Sequence, residues 1–222
     1  MADERRRAFL ADLAALNEHH LVGVPDASEV WLIRHADAYS GLESLEDGVL
    51  DPVLTLQGHA QAKRLAGRLA GLPVDRVWSS TLRRARQTAD SVAAVHGLDV
   101  LSDPRLREVR THWDEGTPAS QLVRGSYPFP EPEEEVFARM REAIGDVVAG
   151  LGPPIERRRR AVVVSHSAAI LLYIAHTLGL TWNGLRIFPQ FTSISVVVVR
   201  GDRTVVQSVA DVSHLANLDG QD

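Results

Sequence analysis

The sequence predicts an α/β domain in three layers, with a mostly parallel central sheet flanked by helices. Three observations lead there. Strand-like and helix-like segments alternate along the chain, the pattern of a layered domain built on a parallel sheet. The run RAVVVSH, residues 160–166, is almost continuously apolar, which marks a strand buried on both faces. Two strand-like runs also end abruptly in polar pairs, Arg34-His35 and Ser165-His166, and ligands of such sheets bind beyond the carboxyl ends of the strands.

The elements follow in order. Phe9, Leu10, Leu13, Leu16 and Leu21 fall at helical spacing and predict an amphipathic helix before the first strand. RRAFL, residues 6–10, is similar to the core of a twin-arginine export signal. Asp12, Asn17, Glu18, His19 and His20 interrupt the apolar region such a signal requires. Residues 29–35 read as a strand, and 55–70 as a helix with Leu56, Ala60, Leu65, Ala66 and Leu69 inward. A short strand at 74–79 precedes a helix at 82–96, whose inner face is Leu82, Ala85, Ala89, Val92 and Ala93; residues 98–101 form a further strand. The stretch 104–131 carries Gly116, Pro118, Pro128 and Pro130 and reads as an irregular covering region. A helix at 133–151 follows, with the acidic run at 131–135 supplying its first turn, where the helix dipole favours negative charge. The RRRR run, 157–160, reads as a solvated loop before the strand at 160–166, and 168–178 as an apolar helix. TSISVVVV (192–199) and TVVQSVA (204–210) are strands around the RGDR turn. The expected organisation is one domain over 1–222, with 1–28 a helical extension and 104–131 the covering region where specificity resides. The apolar face of the first helix and the SVVVV strand, as a sheet edge, are the surfaces that would support a homodimer; the oligomeric state is left open.

Composition removes several function classes. The chain has 222 residues, 45% hydrophobic and 24% charged, values of an ordinary globular protein. A net charge of −5 gives no general affinity for nucleic acid or anionic membranes, so any anion site is a local concentration of positive charge. Cysteine is absent, which excludes disulfides, thiolate metal sites and a cysteine nucleophile. No apolar run approaches the ~18–20 residues of a membrane-spanning helix, and a cytoplasmic location is expected.

Four segments carry residues suited to chemistry. Arg34-His35 ends the first strand. SSTLRRARQTA (79–89) brings Arg83, Arg84 and Arg86 to a strand-to-helix junction. LREVRTHWDEG (106–116) offers the carboxylates Glu108, Asp114 and Glu115 at the mouth of the covering region. VSHSAAI (164–170) ends the late strand with His166. His19, His20, His59, His96, His112, His176 and His214 show no metal-ligand spacing and read as structural or surface residues.

Together these segments resemble the histidine phosphatase superfamily, of phosphoglycerate-mutase-like fold, over roughly residues 30–199. The family's Arg-His-Gly is similar to Arg34-His35-Ala36, and its Asp-x-x-Leu-Thr-x-x-Gly-x-x-Gln-Ala to DPVLTLQGHAQA at 51–62. The Ser-x-Leu-x-Arg-Ala-x-x-Thr-Ala pattern falls on 80–89 and places the second arginine at Arg84. Leu-x-Glu with a later Glu-Gly falls on Leu106, Glu108, Glu115 and Gly116, and the late Ser-His-Gly on Ser165-His166-Ser167. The resemblance implies hydrolysis of small phosphate monoesters through a phosphohistidine on His35, with no cofactor or metal. Physical chemistry agrees with those roles. Arg34 and Arg84 can offer planar, permanently charged forks to the phosphoryl oxygens, with His166 adding a contact. His35 can attack phosphorus, splitting one displacement into two. Glu108, with Asp114 and Glu115 as neighbouring alternatives, can protonate the leaving oxygen and then activate water. Losing one such donor costs on the order of a hundred- to thousand-fold in rate.

The chain departs from the family pattern at Ala36 and Ser167, where glycine is usual, and at Ala38 and Gly41, where small polar residues are frequent; His112 stands within the covering region where glycine is frequent. The expectation is that these changes remove small polar contacts from the pocket. A phosphoglycerate mutase is the alternative enzyme reading, against which stands the short span between Glu108 and His166. A phosphohistidine phosphatase acting on protein and a catalytically dead binding protein are the others. A dead pocket would be expected to lose a charged residue, and this chain keeps all of them.

Overall fold

The computed structural model describes residues 2–39, 45–46, 49–110, 129–153 and 156–216. In chain order its elements are α1 (Ala2–His19), β1 (Ser28–Arg34), β2 (Leu45–Glu46), β3 (Val49–Leu50), α2 (Leu56–Leu69), β4 (Arg76–Ser79), α3 (Arg83–His96), β5 (Val100–Ser102), α4 (Glu133–Gly150), β6 (Arg160–Ser165), α5 (Ser167–Thr177), β7 (Ile194–Arg200) and β8 (Arg203–Asp211). Six strands form one sheet in the order β5-β4-β6-β1-β7-β8, while β2 and β3 make a separate small hairpin that the sequence did not signal. β5, β4, β6 and β1 run parallel; β7 runs antiparallel to both its neighbours, β1 and β8. The three-layer, mostly parallel α/β architecture read from the alternating pattern is the one observed.

Each face of the sheet buries its own helix pair. Val30, Leu32, Ala161, Val163 and Val197 point to one side, against Met140 and Ile144 of α4 and Ile170, Leu172 and Tyr173 of α5. Ile33, Val77, Val162, Val164 and Ile194 point to the other, against Leu65 and Leu69 of α2 and Ala85, Ala89 and Val92 of α3. The alternation along β1 and β6 is the period of two that a strand imposes, and both phases are apolar because both faces are covered. The register fixes the site. Arg34 lies beside Ser165 and Ser79 beside Val164, so β1, β6 and β4 end together at one edge of the sheet.

Several expectations are corrected. Leu56 (86% exposed) and Ala60 face outward rather than inward. The inner face of α2 begins instead with Gly58 and Gln61, because both meet the main chain of Asp37. The SVVVV strand is not a sheet edge: β7 sits between β1 and β8. Nor is the RRRR run a solvated loop. Arg157, Arg159 and the Arg160 amide all donate to Asp75 at 2.8–2.9 Å, Arg160 also binds Glu29 and Arg158 binds the Val24 carbonyl. This network ties β1, β6 and the segment before β4 together at the end opposite the site. Glu131 lies outside the first turn of α4, which Glu133, Glu134 and Glu135 supply. In α1, Phe9, Leu10, Leu13 and Leu16 are exposed, whereas Leu21 beyond it is fully buried with Val24, Ala27 and Val198.

Candidate active site

The parallel strands deliver two histidines side by side. His35 follows β1 and His166 follows β6, each one residue past its strand, with ring centroids 5.1 Å apart. His35 is 7% exposed and His166 fully buried. Nδ1 of His35 lies 2.7 Å from the Ala36 carbonyl, which can only accept, so Nδ1 carries the proton and Nε2 keeps its lone pair. Burial, with the Arg84 and Arg34 cations close by, pushes His35 down to about 3. The ring is therefore neutral and nucleophilic at ordinary pH. His166 is lowered well below its usual value, first by burial and then by Arg84.

Arg84 sits in the first turn of α3 and donates from Nε to His35 Nε2 at 3.2 Å. Thr88, one turn on, bonds the Arg84 carbonyl and receives the Ala36 amide, locking α3 to the loop after His35. Arg83 and Arg86 are exposed on the outer face of α3. Arg34 donates from Nη1 to the Pro189 carbonyl at 2.9 Å, and its guanidinium carbon lies 4.0 Å from the Phe191 ring centroid and 5.1 Å from that of Phe188. Burial lowers Arg34 and Glu108 opposes that shift. Two buried polar atoms here, Arg34 Nε and His166 Nδ1, have no hydrogen-bond partner among the described residues.

Glu108 approaches from the irregular stretch after β5. Its Oε1 accepts from the Val109 and Ala169 amides at 3.1 and 3.0 Å. Its Oε2 accepts from Ser167 Oγ at 3.2 Å and the Ala168 amide at 3.4 Å. The carboxylate thus closes the N-terminus of α5, where its charge meets the positive end of the helix dipole. Asp114, Glu115 and His112 lie outside the described residues, as do Gly41 and Gly116. Ala36 packs with Leu54, Ala62 and Ala38 in a small apolar cluster, so the extra methyls replace polarity with packing. Ser167 departs from expectation: it adds a polar contact to Glu108 instead of removing one.

Sequence reasoning missed several contributors. Ser80 Oγ lies 2.8 Å from His166 Nε2 and accepts from the Leu82 amide, which leaves its own hydrogen free to point at the imidazole or its second lone pair free to accept from it. Phe188 and Phe191 pack on Arg34, and Arg139 brackets the chain around Glu108. Ser80 stood inside a quoted motif and could have been found there; the two phenylalanines and Arg139 carried no local signal. His214 bonds Thr192 Oγ1, and Thr192 in turn donates its amide to the Arg34 carbonyl. No group of three His, Asp or Glu side chains able to hold a metal converges among the described residues, and no described helix is long and apolar enough to cross a membrane.

Comparison with known proteins places this geometry. The profile of the histidine phosphatase superfamily (branch 1) matches residues 30–212. A probable phosphoglycerate mutase of Escherichia fergusonii is 31% identical over 205 residues, 84% of this chain and 94% of the relative. Among solved structures, mycobacterial hydrolase 1 superposes with a TM-score of 0.68 at 26% identity, covering 83% of this chain and 99% of the other. A mycobacterial glucosyl-3-phosphoglycerate phosphatase, solved with VO3, gives 0.67 at 26% identity, covering 81% and 97%.

Proposed function

The chain belongs to the histidine phosphatase superfamily, branch 1, and from that membership and the site geometry we propose that it is a metal-independent phosphomonoesterase working through a phosphohistidine on His35. One observation carries the reading. A neutral imidazole nitrogen faces Arg84 at 3.2 Å, in a pocket where buried Arg34 Nε and His166 Nδ1 have no described protein partner. Unpaired buried donors are costly, and a phosphoryl group supplies the acceptors they lack. With Ser80 donating to His166 Nε2, the His166 proton rests on Nδ1 and can reach a phosphoryl oxygen.

In the first step His35 Nε2 forms a bond to phosphorus while the bond to the substrate alcohol breaks. Arg34, Arg84 and His166 hold the equatorial oxygens, and their two positive charges neutralise the group without a metal. Glu108 gives its proton to the leaving alkoxide. In the second step it accepts a proton from water, which attacks phospho-His35 and releases inorganic phosphate. Three of the Glu108 partners are amides that only donate. Ser167 can turn its hydroxyl to accept, so it serves the protonated acid as well as the carboxylate. The same reading makes 1–222 one catalytic domain, with residues 1–28 an extension and 104–131 the cover over a small phosphorylated substrate.

Hydrolysis of 4-nitrophenyl phosphate in excess EDTA, by wild type and His35→Ala, tests the proposal. Wild-type turnover with loss of at least ~100-fold in the mutant is expected; equal activity in both overturns the assignment of the nucleophile. A second reading, phosphoglycerate mutase, is favoured by the 31% identity to the Escherichia fergusonii protein. Conversion of 3-phosphoglycerate to 2-phosphoglycerate with little free phosphate would select it. The mycobacterial phosphatase at 26% identity supports hydrolysis instead.

A further inference from the structure

Glu108 stands on a stretch, 107–110, that belongs to neither helix nor strand. Proton transfer needs its carboxyl fixed within a fraction of an ångström, so something other than secondary structure must hold the main chain. Arg139 of α4 does so. Its Nη1 donates to the Arg105 and Arg107 carbonyls at 2.7 Å each, and Nη2 reaches the Glu108 carbonyl at 3.4 Å. The remaining edge of the guanidinium grips Glu131, with Nε to Oε1 at 2.7 Å and Nη2 to Oε2 at 3.1 Å. Glu131 then receives the Arg110 amide at 2.8 Å. The main chain on both sides of Glu108 is thereby bonded to one ion pair, whose side chains are only 19% and 8% exposed.

We propose that Arg139 and Glu131 are positioning residues for the proposed acid–base step: they touch no reacting atom and act by locking residues 105–110, so that Glu108 meets the leaving oxygen. This rests on the phosphomonoesterase reading above. A planar five-donor fork is needed, because three carbonyls and a carboxylate are served at once. A lysine ammonium, a single point with three donors, cannot span them.

Leaving-group dependence separates positioning from general support of the fold. 4-Nitrophenoxide departs without a proton, whereas an alkoxide such as that of β-glycerophosphate requires one. The experiment measures kcat and KM on both esters for wild type, Glu108→Gln, Arg139→Lys and Glu131→Gln, each checked for folding by circular dichroism. Arg139→Lys is expected to lower kcat/KM on the alkyl ester on the order of ten- to hundred-fold, with kcat/KM on 4-nitrophenyl phosphate nearly retained, because kcat/KM reports departure of the leaving group and excludes the water attack that both esters share. Glu131→Gln, of the same shape and less disruptive, is expected to shift the ratio in the same direction and serves if the lysine variant does not fold. Parallel loss on both esters, or no loss on either, overturns the proposal. If Glu108→Gln shows no such selectivity, the proposal falls with it, and the fault lies in the assignment of the acid. If wild type hydrolyses neither ester, the phosphomonoesterase reading itself has failed.

Discussion

His35 is neutral because it is desolvated and stands beside Arg84, and that neutrality couples the proposed catalysis to acid stability. Its value falls from 6.5 to about 3 on folding. Between those values the unfolded chain binds more protons than the folded one, so stability is complete above about pH 6.5 and is lost as the pH falls toward 3. Each fully shifted histidine contributes a slope of up to about 1.4 kcal/mol per pH unit. Melting temperatures measured from pH 7 to 4 should therefore drop steeply in wild type and less steeply in His35→Asn, with His166, His96, His214 and lowered carboxylates such as Asp75 supplying the remaining slope; identical slopes would refute the buried-neutral account. At this scale the sequence was informative where a polar pair interrupts an apolar run, as at Arg34-His35 and Ser165-His166. It was silent on Phe191 and Phe188, because ring stacking on a guanidinium 154–157 positions earlier leaves no periodic trace.

The N-terminus of α2 shows how an element aims a loop. Thr55 caps the helix, its hydroxyl accepting from the Gly58 amide and donating to Asp37 at 2.6 Å. Gln61 receives the Asp37 amide at 2.8 Å. A Cβ built on Gly58 would lie 2.0 Å from the Asp37 carbonyl oxygen, a backbone atom that cannot step aside. Gly58→Ala is therefore expected to cost about 1–3 kcal/mol, seen as a lower Tm, and to reduce turnover because Asp37 lies two residues past His35. An unchanged Tm would show that the helix shifts freely and that the contact matters little. The helices were legible as elements because apolar residues recur at their period. The rotation of α2 was not, because a glycine and a glutamine, neither strongly apolar, decide which face meets the loop, and Leu56 was wrongly given that place.

Across the whole molecule, one end of the sheet carries the proposed site and the other anchors the strands. Asp75 gathers Arg157, Arg159 and the Arg160 amide, and is held at about 2, its burial outweighed by those hydrogen bonds. Asp75→Asn should lower stability by about 1–3 kcal/mol, or ~2–4 °C in Tm for each kcal/mol, while turnover well below the transition stays unchanged. Reduced turnover at full stability would mean that the two ends communicate. The layered class was legible because alternation and a doubly buried strand are whole-chain signals; the arginine anchor was not, because four like charges in a row look solvated until their carboxylates are brought from 75 and 29. The strand order has a consequence for how the protein is made. β1 is flanked by β6 and β7, both encoded in the last third of the chain. At ~5–20 residues per second of synthesis, the strand that leads into His35 leaves the ribosome on the order of ten seconds before either neighbour exists. Until then both its edges are open to wrong partners, so the nascent chain is most in need of shelter during the middle of its own translation.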